Sequence, residues 1–169
     1  MASLIRDEKF ALYWFSELLA YFSISANTII LLAAVDDTLP ANLAEGLLLT
    51  TSFLPALVIT PFAARLIVRF GARAVLLATK FASAAMALGL MAALLGQSVW
   101  VVLLLNALFS SSTIIFIVAS GVLVTLIVDK KDLVAANTLT NLTPSAMIVA
   151  NGLLIGHLEK QPILRFMRV

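Results

Sequence analysis

The stretch Phe81–Val128 reads FASAAMALGLMAALLGQSVWVVLLLNALFSSSTIIFIVASGVLVTLIV, without one charged side chain. A helix needs about 20 mostly apolar residues to cross the hydrocarbon core of a bilayer. This run is too long for a single crossing, and Gly96-Gln97-Ser98 is the turn-forming break inside it. It therefore divides into two spanning helices, and a chain built this way has lipid as its solvent.

Outward from that stretch, charges act as punctuation. Spans are expected at about 10–35, 44–68, 74–95, 99–128 and 133–158, followed by a short tail at 159–169. Asp36-Asp37-Thr38-Leu39-Pro40, the segment Arg69–Arg73 around Gly71, and Asp129-Lys130-Lys131-Asp132 separate them. The expected fold class is an all-α integral membrane protein of five transmembrane helices. The first apolar run is longer than the roughly 7–15 residues of a signal-peptide core, so it reads as a retained span.

Composition points the same way. Hydrophobic residues make up 62% of the chain and charged residues 12%, with a mean hydropathy of +1.10. Soluble domains are about 45–50% apolar and about 25% charged, and a chain of this length cannot hide such an excess in a core. The net charge of +2 comes from scattered basic residues, which argues against a nucleic-acid partner. Without cysteine there is no disulfide scaffold, thiolate metal site or cysteine nucleophile. His157 stands alone, and no phosphate loop, paired carboxylates or nucleophile–base pair is visible. No enzyme activity, cofactor or metal is expected.

Arg6, Lys9, Arg65, Arg69, Arg73, Lys130 and Lys131 fall on one side of the expected bundle. Asp36, Asp37 and Glu45 fall on the other. The positive-inside rule then makes the N-terminus cytoplasmic, in what is expected to be a bacterial inner membrane. Lys160, Arg165 and Arg168 in the tail run against that rule.

Within the spans, Glu17 is an ionisable residue in an apolar run, where a carboxylate is a functional candidate by default. Its alternative is a protonated or hydrogen-bonded structural carboxyl. Lys80 has a stem long enough to snorkel to the surface. The amides Asn27, Asn106, Asn137, Asn141 and Asn151 either line a polar path or tie helices together. Ala85, Gly89 and Ala93, and the pair Gly152 and Gly156, offer small-residue faces for close helix packing. Pro55 and Pro61 each remove a helix hydrogen bond and favour a kink in the second span.

The segment Ala64-Arg-Leu-Ile-Val-Arg-Phe-Gly-Ala-Arg73 resembles the signature loop of the major facilitator superfamily, G-x-x-x-D-R-x-G-R-[RK]. Arg69, Gly71 and Arg73 match it; Ala64, Val68 and Ala72 depart from it. Gly46-Leu-Leu-Leu-Thr-Thr-Ser-Phe-Leu-Pro55 is similar to the second helix of the family's exporters, and Asp132-Leu-Val-Ala-Ala-Asn-Thr-Leu139 to the start of the fifth. Asn151 to Gly156 resembles a degenerate form of the glycine-rich stretch that follows. The arginine and glycines of the proton-coupled exporters' fourth helix are missing from Asn106–Ser112.

This resemblance implies efflux of a small molecule, with Glu17, Asn27 and Asn106 as substrate-path candidates. It implies a cytoplasmic signature loop of Ala64, Arg69, Gly71 and Arg73 facing Asp129. Family members have two six-helix halves built from inverted three-helix repeats. Five spans therefore suggest a truncated N-terminal portion, inactive alone, whose partners are the lipid bilayer, an unknown small molecule, and a C-terminal half or a second copy. The alternative expectation is a small multi-span accessory protein that associates with another membrane protein.

Overall fold

The computed structural model describes residues 7–36, 41–95 and 99–158. The expected turns at 37–40 and 96–98 and the tail at 159–169 lie outside the described residues. Among the described residues there are five helices and no strand: α1 (Glu8–Asp36), α2 (Ala41–Phe70), α3 (Ala72–Leu95), α4 (Val99–Ile127) and α5 (Leu133–Leu158). Four of them contain segments long and apolar enough to cross a membrane: Gly46–Phe70, Ala72–Ala93, Val99–Ile127 and Leu133–Leu154.

The surface of these helices is inverted relative to a water-soluble protein. Val68, Leu57, Val134 and Trp100 are among the most exposed side chains, Val68 at 89%. Glu17, Asn106, Asn151 and Thr143 are buried. Water would penalise that distribution, whereas hydrocarbon does not. The hydroxyls follow the same logic. Thr50 donates to Gly46 O at 2.7 Å, Thr60 to Ala56 O at 2.6 Å and Thr138 to Val134 O at 2.8 Å. These exposed threonines satisfy themselves on their own helix backbone and present methyl groups outward.

Local signals set the helix ends. The Asp7 carboxylate accepts from the N–H groups of Lys9 and Phe10 at 2.9 and 3.3 Å, which caps the start of α1. Between α2 and α3 the expected five-residue break narrows to one residue. Arg69 and Phe70 remain helical, and Ala72 already belongs to α3. Gly71, at φ 81°, makes the turn alone. Its N–H donates to Ile67 O at 2.8 Å, and its carbonyl accepts from Val75 N at 3.2 Å. One glycine thus closes α2 and opens α3, in a backbone region that other residues enter only at a cost. Pro55 and Pro61 lie inside α2 and Pro144 inside α5, and each helix continues through its prolines.

The contacts divide the chain into two compact units. One comprises Asn27–Asp129, and there α4 is the hub. It packs along both α2 and α3, while α2 and α3 touch each other little. Buried positions recur along α4 every three or four residues, at Val102, Asn106, Phe109, Ser112, Phe116, Ser120 and Val124. The other unit joins the first part of α1, to Ala26, with the segment from Lys130 that carries α5. Side-chain hydrogen bonds tie those two helices together.

Candidate functional site

In the α2–α3–α4 unit, the Asn106 amide sits in the first third of α4 and is buried. Its Nδ2 donates to Thr51 Oγ1 at 3.0 Å and to Ser52 Oγ at 3.1 Å, both on α2. The structure therefore brings this path candidate into a polar junction of three side chains. Lower on the same helix, the Ser112 hydroxyl donates to Thr79 O of α3 at 3.1 Å and accepts from Ser83 Oγ at 3.0 Å. The α4 hub is thus tied to each neighbour by one polar knot within an apolar seam. Lys80 holds its ammonium 5.5 Å from the ring centroid of buried Phe116, a cation–π distance.

The α1–α5 unit is also tied by hydrogen bonds between its helices. Trp14 Nε1–H donates to Thr143 Oγ1 at 3.1 Å. Asn151 Nδ2 donates to Phe22 O at 2.9 Å and to Ser25 Oγ. The Ser25 hydroxyl lies 2.9 Å from Tyr21 O on its own helix and 3.4 Å from Met147 O across on α5. Glu17 lies between these contacts along α1 and is 1% exposed. A carboxyl so placed is costly unless it has a purpose. Asn27, at the start of the other unit, is half-buried.

The residues of the 64–73 segment and Asp129 fall as follows. Ala64, Arg69 and Arg73 are exposed, Gly71 forms the joint, and Asp129 is exposed beyond the end of α4. Arg69 lays its guanidinium 5.1 Å from the Phe70 ring centroid, and Arg65 lies 5.8 Å from that of Phe62. Of the small-residue positions, Ala93 is buried and Ala85 exposed. A Cβ added at Gly89 would meet Leu105 of α4 at 3.6 Å, which is ordinary contact. Gly152 opens on free space, and Gly156 lies in α5.

Sequence reasoning missed Trp14, Ser25, Thr143 and Pro144. Ser25 lies eight residues after Glu17 and two before Asn27, but its partner Asn151 is 126 residues away. It also missed an open apolar groove of about 580 Å³ in the α2–α3–α4 unit, lined by Leu66 and Phe70 of α2, by one face of α3, and by Leu108 and Ile115 of α4. Compared with known protein families, with curated proteins and with solved structures, the chain matches none.

Proposed function

We propose that the chain is a helical component of a membrane transporter of the major facilitator kind, serving efflux of a small molecule. The observation that carries this reading is the pattern of helix pairing. An inverted three-helix repeat exchanges the first helix with the fourth and the second with the fifth. That exchange turns the α2–α4 pair into an α5–α1 pair, and both pairs occur, each in its own unit. Each pair is tied by an asparagine amide, Asn106 of α4 in one and Asn151 of α5 in the other, on helices that the exchange does not interconvert. The helices exchanged with each other, α2 and α5, both carry internal prolines. The sequence resemblance around Arg69, Gly71 and Arg73 supports the same reading. In it α1 counts as a fifth span, and Glu17, Asn27 and Asn106 belong to the substrate path.

Reconstitution tests this. The purified chain, alone and with any membrane proteins that co-purify with it, is placed in liposomes with a panel of amphipathic dyes. Dye flux that Glu17→Gln abolishes is the expected result. Stable capture of one membrane protein without flux in any combination would replace it with the accessory reading. One observation favours that second reading: Gly152, on a small-residue face of α5, opens on free space.

A further inference from the structure

The groove beside α2, α3 and α4 has a built-in length, and two arginines neighbour the lining residues at one end. Along α3 its lining residues Ala74, Ala78, Ala82 and Met86 recur at every fourth position. Three alanines in a row leave a trough, and the four positions cover ~18 Å of helix axis. A single leaflet of a bilayer is ~15 Å of hydrocarbon, half of the full core. The trough exists because α2 and α3 both pack on α4 while touching each other little.

Its walls offer no unsatisfied polar group to an occupant. Thr79 donates to Leu76 O at 2.9 Å, Ser111 to Ala107 O at 2.7 Å and Ser112 to Thr79 O at 3.1 Å. An apolar chain is therefore the matching guest along this length. The end near the α2–α3 joint differs. Phe70 lines the groove there and carries the Arg69 guanidinium on its ring at 5.1 Å. Arg73, exposed in the first turn of α3, immediately precedes lining residue Ala74. The N-terminus of α3 adds its own preference for negative charge.

We propose that this groove is a binding site for one anionic phospholipid, its acyl chain along the α3 trough and its phosphate at Arg69 and Arg73. The site rests on the membrane reading of the helices and is independent of transport. A zwitterionic lipid offers the same chain, but its ammonium would meet two guanidinium groups.

Native mass spectrometry of the full chain in detergent tests the site, with phosphatidylglycerol and phosphatidylcholine of identical acyl chains as probes. Phosphatidylglycerol is expected to bind at least tenfold more tightly. Arg69→Gln and Arg73→Gln should each weaken it about fivefold while leaving phosphatidylcholine unchanged. Ala78→Trp should fill the trough and remove both lipids; Ala82→Leu serves the same purpose if the first variant does not fold. Glycerol phosphate, which has the headgroup charge without the chain, should not compete. Equal affinity for the two lipids, full binding to a folded trough-filled variant, or competition by glycerol phosphate would each overturn the proposal.

Discussion

The two units share polar ties and differ in how much apolar bulk accompanies them. In the α2–α3–α4 unit a central helix buries a stripe of large apolar groups, among them Phe109 and Phe116, with single polar knots at Asn106 and Ser112. In the α1–α5 unit fewer large apolar groups are buried, chiefly Phe10 and Tyr13, beside the polar ties of Trp14 to Thr143 and of Asn151 to Ser25 and the Phe22 carbonyl. Lipid tails are as apolar as leucine, so burial alone gives helices little reason to associate. Close packing and hydrogen bonds remain, and this chain uses both in each unit.

The comparison breaks most readily at Phe116. Phe116→Ala removes a ring that is 3% exposed and the surface on which Lys80 rests. A loss of about 3–5 kcal/mol is expected from cavity formation, read as a lower unfolding midpoint in a detergent titration. A loss under about 1 kcal/mol would show that the seam is not packed as the hub requires. Next come Asn151→Leu and Asn106→Leu, each expected to cost about 1–2 kcal/mol. The sharper readout is which helices separate. Asn151→Leu should loosen crosslinks between α1 and α5 and spare those between α2 and α4, and Asn106→Leu the reverse. Cysteine pairs for such crosslinks, one on each helix, meet no background thiol, because the chain has none. The smallest effect belongs to Trp14→Phe, which deletes one N–H donor and keeps an aromatic body. A double-mutant cycle with Thr143→Val should give a coupling of about 0.6 kcal/mol. No coupling would remove this bond from the account of the α1–α5 pair.

Much of the helix pattern was legible in the chain itself. Uncharged runs bounded by charges located the helices, because a charge in hydrocarbon is expensive while a long apolar run in water is not sustainable. The same cost singled out Glu17 but left open whether it faces the bundle interior or water; in the structure it is buried. Helix ends were less legible: Arg69 and Phe70 read as part of a loop, yet Gly71 alone turns the backbone. The junction of Asn106 with Thr51 and Ser52 could not be read at all, because it depends on the register between two helices far apart in sequence. Nor could the lipid-sized groove, which arises from how far α2 and α3 spread on α4.

That one-residue joint at Gly71 has a mechanical meaning. It leaves no slack between a helix of 30 residues and one of 24. Neither can slide along the other by a turn without unwinding, so a displacement of α2 is delivered to α3 at a fulcrum. With α3 ~36 Å long, a rotation of about 5° at that fulcrum carries its far end roughly 3 Å.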